Sequence, residues 1–403
     1  MGAMLVGVTL LGLMLLLSLV LSGPFSPSSL MSLVWFLELC TQAWFGFYHI
    51  SVRTQLLLVT FVASFMLGAV LGSSARVKTS QYVWSEGKIM RVIVCLTILL
   101  AATAPFLYID LQTNASSDVT RISQSIRNYY VESLRSGNVP TTIKLIANGS
   151  VLLVVLVIAE PLARLGRYKK LALVSFGLIG TAVSFSKGYV ILLMAYIISV
   201  KMFRSKRPYV IVLVAACTGC VILTASAVIR DNLEIIPYFR TYMMSSVPAF
   251  QLIADGEFRF QFPAVFGVLR PVFRFFGVAL APISDSDSWV EVPDHTNVFT
   301  AFGPALSDYG IVFTIIYFFV NGLGSGFVFR LARARYPVFV IMYGYVIFAI
   351  GASIFSDGFA NWSTIVNYSL VFFAINCYAR IRRHRSVAQK RSSNRLAERW
   401  TLL

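Results

Sequence analysis

Apolar runs of membrane-crossing length recur along this 403-residue chain from one end to the other. They fall near 2–21, 29–50, 55–72, 91–108, 146–160, 171–183, 189–200, 209–228, 311–328, 338–355 and 364–379. A hydrocarbon layer of about 30 Å takes about 20 residues of helix, and within it the backbone must satisfy its own hydrogen bonds. These runs therefore predict an all-α integral membrane protein with about eleven transmembrane helices. Composition excludes a soluble globule: 57% of residues are hydrophobic and 13% charged, against about a quarter charged in soluble domains. The first run has no Lys or Arg before it and is as long as a true span, so it reads as a membrane helix and not a cleaved signal.

The net charge of +17 would point to nucleic acid in a soluble protein. Here the cations gather in alternate short turns: Arg76, Lys78 and Lys88; Arg164, Arg167, Lys169 and Lys170; Lys201, Arg204, Lys206 and Arg207; Arg330, Arg333 and Arg335. That alternation is the positive-inside pattern. The stretch 380–403 carries Arg380, Arg382, Arg383, Arg385, Lys390, Arg391, Arg395 and Arg399 against Glu398 alone, and reads as a basic cytoplasmic tail. Residues 1–379 then form a single polytopic membrane domain, with an odd number of spans placing the N-terminus outside. Two long loops, 109–144 and 229–310, fall on the outer face.

The run Leu171–Val200 is interrupted once, at Ser184-Phe185-Ser186-Lys187-Gly188. Each half is short for a crossing. The run is either a tight helical hairpin, with Lys187 at a tip facing a water-filled cavity, or one long tilted helix.

Outward-facing arginines run against the positive-inside bias. Arg230, Arg240, Arg259, Arg270 and Arg274 lie in the second loop, beside Phe, Tyr and Pro, and Arg121, Arg127 and Arg135 lie among tyrosines in the first. Guanidinium groups offer a planar fork of donors that fits phosphate or pyrophosphate. The alternative is pairing with Asp231, Glu234, Asp255 and Glu257 nearby. The loop closes with HTNVFTAFGPALSDYG, His295 to Gly310, running into the apolar stretch from Ile311. A neutral His295 could take a proton from a sugar hydroxyl, and Asp308 and Asp357 are competing bases. Asp285-Ser286-Asp287 has DxD spacing but belongs to the acidic run SDSDSWVEVPD and reads as a solvated loop; with no HExxH, clustered His and Cys, phosphate loop or dinucleotide fingerprint, no metal or cofactor is expected. Gly322, Gly324 and Gly326 lie inside a span, where small residues permit close helix packing. Cys217 and Cys220 have redox spacing, but they sit in an apolar run and read as packing residues.

HTNVFTAFGPALSDYG followed by an apolar span is similar to the TNVYT…DFG segment of the Wzy-type O-antigen polymerases, a family of oligosaccharide repeat-unit polymerases of bacterial inner membranes. SFSKG resembles the family's SRG hairpin, with Lys187 where arginine is usual. AVIRDN followed by YFRTYMMSSVPAF resembles its arginine after a span and the aromatic-ended segment that follows. The resemblance covers Leu171–Val328.

It implies a GT-C-like bundle with a large periplasmic loop and a metal-independent glycosyltransferase that polymerises undecaprenyl-pyrophosphate-linked units on the periplasmic side. Arg230, Arg270, Arg274 and Lys187 would hold pyrophosphate, His295 would act as base with Asp308 in reserve, and Arg259, Asn297 and Asp357 would touch substrate. The partners implied are the lipid-linked oligosaccharide, membrane lipid, a chain-length-regulating co-polymerase and a flippase, with no nucleic acid. An O-antigen ligase, which transfers finished chain to lipid A core, shares this architecture. A lipid-linked oligosaccharide transporter would also carry many helices and a cationic cavity, but its two halves would be related.

Overall fold

The computed structural model describes residues 5–45, 48–74, 86–114, 141–159, 166–183, 187–203, 205, 209–211, 244–260, 290–292, 295–296, 298–356 and 359. These are almost entirely helical. In chain order they form α1 (Leu5–Ser22), α2 (Pro27–Phe45), α3 (Val52–Ser74), α4 (Glu86–Asn114), α5 (Thr141–Ala159), α6 (Arg167–Val183), α7 (Lys187–Met202) and α8 (Ser246–Ala254). A two-stranded hairpin, β1 (Val290–Glu291) and β2 (His295–Thr296), precedes α9 (Phe302–Arg333) and α10 (Pro337–Ala352).

Among the described residues, four stretches are long and apolar enough to cross a membrane: α1, Met90–Leu107 within α4, α3 and α9. Leu145–Ile158, Gly188–Met202 and Val338–Ala352 are shorter apolar helices. The architecture is that of an all-α multi-pass membrane protein. Its flanks carry exposed Leu13, Leu16 and Val20 on α1, Leu67 and Leu71 on α3, and Val312, Ile316 and Val320 on α9. A belt of this kind would drive aggregation in water and suits hydrocarbon.

The helices overrun the apolar runs at several ends. α9 begins at Phe302, inside the stretch 229–310 that reads as loop in the sequence. α4 continues to Asn114 and α5 starts at Thr141, which shortens the loop expected over 109–144 at both ends. Hydropathy marks only the part of a helix that needs hydrocarbon, whereas the hydrogen-bond ladder continues into polar flanks. Most of 209–228, all of 364–379 and the basic tail lie outside the described residues, as do Cys217 and Cys220.

The closest helix pair is α3 with α9, joined through glycines. A Cβ on Gly68 or Gly72 would overlap the carbonyl oxygens of Phe319 and Leu323, and one on Gly322 or Gly326 would overlap those of Phe65 and Ala69. Both helices thus contribute a small-xxx-small pair to one seam, and backbone meets backbone. Ser64 Oγ donates to Ile315 O at 3.1 Å one turn away. Gly324, the third glycine of the run, has nothing within 4 Å of a Cβ. Contacts advance together along both helices, from Ser64 with Ile315 to Gly72 with Phe327, so α3 and α9 run parallel.

That parallel pairing sorts the two ends of the bundle. Arg330 and Arg333 in the last turn of α9 share an end with the C-terminus of α3, which the sequence follows with Arg76 and Lys78. At the opposite end the amide of Gly7, an unpartnered donor in the first turn of α1, reaches Gln55 Oε1 of α3 at 3.1 Å. The start of α1 therefore lies at the end where α9 begins.

The interrupted run Leu171–Val200 is a hairpin. Along α6, Gly177 meets Val154 and Gly180 meets Ser150 and Ile146, so α6 is antiparallel to α5. A straight continuation would carry position 189 about 13 Å past Gly180, beyond the start of α5. Instead Tyr189 Oη accepts from Asn148 Nδ2 at 3.4 Å. The chain has reversed between Val183 and Lys187, and α7 packs back along α5 and against α10. Lys187 is the first residue of α7, at the turn.

Candidate functional site

The segment singled out by sequence is seated on the bundle by aromatic packing. Phe302, fully buried, lies 4.8 Å from Trp35 of α2, 5.4 Å from Phe61 of α3, 6.4 Å from Phe250 of α8 and 4.5 Å from Phe318, ring centre to ring centre. Just before it, Ala301 N donates to Ser353 O at 2.7 Å, and Trp35 Nε1 donates to Ser353 Oγ at 3.1 Å. Upstream, Val290 pairs with Thr296 and Glu291 with His295 in the β1/β2 hairpin. This places His295 on a strand just upstream of the buried run Val298-Phe299-Thr300.

α8 belongs to the large loop and is fixed at its far end. Gln251 Oε1 accepts from Ser51 N at 2.9 Å, and Gly256, at φ +81°, closes the helix with a bond from its amide to Ile253 O. Asp255 pairs with Arg53 of α3 at 3.8 Å. Both groups are substantially exposed, and such a pair contributes little.

Beyond α8 the chain turns back over Phe299. Phe258 stacks on Phe299 at 5.3 Å and Phe260 meets it edge-on at 4.8 Å. Phe260 N then donates to Ser307 Oγ at 3.0 Å. Arg259 and Asp308 thereby flank one hydrogen bond, although about fifty residues separate them in sequence. Arg259 is exposed and Asp308 half-buried.

Asp308 stands two residues before a break in α9. Gly310 has φ +79° and ψ −175°, a backbone region open only to glycine, so the helix divides into a short first piece, Phe302–Tyr309, and a long apolar piece, Ile311–Arg333. Undivided, 32 residues would reach about 48 Å, well over the hydrocarbon thickness. No atom lies within 4 Å of a Cβ at Gly310. Gly310→Ala is therefore expected to cost about 1–3 kcal/mol through backbone strain alone. Chemical unfolding of the purified protein checks this, and an unchanged midpoint would remove the break as a fixed feature.

Of the sequence-predicted site residues, the structure brings Arg259, Asp308 and the backbone of His295 to one end of the bundle. Lys187 is placed by its backbone at the α6–α7 turn, and the side chains of Lys187 and His295 lie outside what is described. Arg230, Arg270, Arg274, Asn297 and Asp357 also lie outside the described residues.

A residue that sequence reasoning passed over stands beneath this segment. Glu38 of α2 is 1% exposed, and its Oε1 accepts from Gln42 Nε2 at 3.0 Å. Gln42 also donates to Met244 O, at the N-terminal end of α8. The hydroxyl of Ser246 faces the carboxyl, yet neither its Oγ nor Glu38 Oε2 makes a well-formed hydrogen bond. Ser245 Oγ and Thr300 Oγ1 are likewise buried without partners. Each such atom costs about 1–3 kcal/mol. No cation lies within 4.0 Å of Glu38 among the described residues. The signal was present: an acidic residue inside the apolar stretch LVWFLELC, with glutamine one turn on.

Compared with protein-family models, with curated proteins and with solved structures, the chain matches none, and the functional reading rests on its own residues.

Proposed function

We propose that this chain is a glycosyltransferase that polymerises undecaprenyl-pyrophosphate-linked oligosaccharide units at the periplasmic face of a bacterial inner membrane. A hydroxyl of the incoming unit's nonreducing-end sugar attacks the anomeric carbon of the growing chain. The bond from that carbon to the pyrophosphate oxygen breaks, its electron pair leaves with the carrier, and the hydroxyl proton passes to His295, or to Asp308. Arg230, Arg270, Arg274 and Lys187 stabilise the departing pyrophosphate, as fixed donors aimed at developing charge. Arg259, Asn297 and Asp357 orient the sugars. A flippase would supply the units, and a chain-length-regulating co-polymerase would be a partner.

The observation that carries this reading is the seating of HTNVFTAF by Phe302. It gathers Arg259, Asp308 and the His295 strand at one end of an apolar bundle, where a sugar in water can meet a carrier in lipid. Purified protein given lipid-linked repeat units, with a chelator present, should lengthen them. Arg270→Ala and His295→Ala should each lower that rate about 10²- to 10³-fold, the loss seen for one transition-state donor. Full activity in both variants would remove these site roles. Transport of the unit across a proteoliposome bilayer without lengthening would instead make the protein a transporter, and transfer only to lipid A core would make it a ligase.

A further inference from the structure

We infer that the seam between α2 and the first turn of α8 is a saccharide subsite, in which Glu38, Gln42, Ser245, Ser246 and Thr300 bind sugar hydroxyls once that turn swings away from α2. The choice of ligand rests on the transferase reading; the existence of a site rests on geometry. Glu38 Oε2, Ser245 Oγ, Ser246 Oγ and Thr300 Oγ1 are all buried, and none makes a well-formed hydrogen bond among the described residues. Glu38 and Ser246 face each other, and Gln42 bridges Glu38 to Met244 O. Thr300 is joined to the same face of α2 through the bond of Ala301 to Ser353, which in turn holds Trp35, one turn from Glu38.

Carboxylate, amide and hydroxyl together offer both donors and acceptors, which matches a polyol, since each sugar hydroxyl donates once and accepts twice. An anion is disfavoured by the carboxylate. A metal cation is disfavoured by the N-terminus of α8, the positive end of its dipole, beside the same group. The two ends of α8 are held unequally. Phe250 packs against Phe61 and Phe302, and Gln251 bonds Ser51, at the far end; at the near end the polar tie is the Gln42 bond to Met244 O. The first turn can open about that fixed end, beneath the segment that carries Thr300 and Asp308.

The test uses the full chain in lipid nanodiscs and follows hydrogen exchange over 244–254. Two probes are compared: undecaprenyl-pyrophosphate-linked oligosaccharide extracted from cells making the protein, and undecaprenyl pyrophosphate alone. The saccharide-bearing carrier should change exchange in the first turn of α8 about tenfold, and the bare carrier should not. Ser246→Ala with Thr300→Ala is the informative variant. It removes hydroxyls that make no well-formed hydrogen bond in the closed form, so folding is retained, while the saccharide response should fall about tenfold. An equal response to both carriers, no response in the wild type, or an undiminished response in the double variant would overturn the subsite. Lengthening is assayed on the same samples. Lengthening without a response at α8 refutes the subsite alone, and a response without lengthening refutes the transferase alone; absence of both refutes the two together.

Discussion

Gly322→Ala and Gly68→Ala should each destabilise the bundle by about 3 kcal/mol, the upper end of ordinary overpacking costs. The reason is what the added methyl meets. At Gly322 it meets the carbonyl of Phe65, and at Gly68 the carbonyl of Phe319, with the Leu323 amide nitrogen 2.9 Å away. These are backbone atoms inside helices, which no rotamer change can move aside. Relief requires α3 and α9 to separate along their whole seam, losing the close approach of carbonyls to glycine Cα–H groups, each contributing up to about 1 kcal/mol. One separation accommodates both methyls, so the double variant should cost clearly less than the sum of the singles. Gly324→Ala, on the same helix with nothing within 4 Å, should instead gain about 0.5–1 kcal/mol from reduced unfolded-state freedom. Chemical unfolding in detergent, read by fluorescence and by the monodisperse fraction, separates these outcomes. If Gly322→Ala behaves like Gly324→Ala, the seam is not where α3 and α9 meet.

The contrast between those glycines marks how far the sequence could be read. Helices were legible because hydrocarbon demands about 20 apolar residues in succession, and α1, α3 and α10 fall within a few residues of their expected runs. Glycines inside the run 311–328 were legible as packing residues, and Gly322 and Gly326 are; that Gly324 is not, and that the partner is Gly68 with Gly72, depends on helix phase and on contacts some 250 residues apart. The start of α9 was hidden because FGPALSDY is neither apolar nor periodic enough to register, although a proline at the third helical position and a buried Phe302 suit a helix start. The SFSKG interruption left two topologies open, and only the place of Tyr189 beside Asn148 decides between them. The candidate site divides in the same way. Its aromatic and acidic composition drew attention to 295–310, but Glu38 lies far upstream in an apolar stretch, and its significance comes from α8 folding over it.

Phe302→Ala should be the most damaging single change at the site end, costing about 3–5 kcal/mol. That is a large part of the 5–15 kcal/mol by which a folded domain of ordinary stability exceeds its unfolded state. The ring is fully buried and touches Trp35, Phe61, Phe250 and Phe318, contributed by α2, α3, α8 and α9 itself. Four elements converge on one side chain, so neighbours cannot close the cavity without tilting a helix. Phe302→Leu fills most of the space and should cost under about 1.5 kcal/mol. Val312→Ala, at a position 72% exposed on the same helix, should be close to neutral. Global loss is half of the expected result. Because Phe302 is also what seats 298–301 against the bundle, hydrogen exchange in the Phe302→Ala protein should rise first there and in α8, before the α3–α9 seam, whose glycine contacts do not involve the ring. A variant that unfolds within about 1 kcal/mol of the wild type, with exchange over 298–301 unchanged, would show that the segment is anchored elsewhere. The convergence of Arg259, Asp308 and the His295 strand would then need another cause.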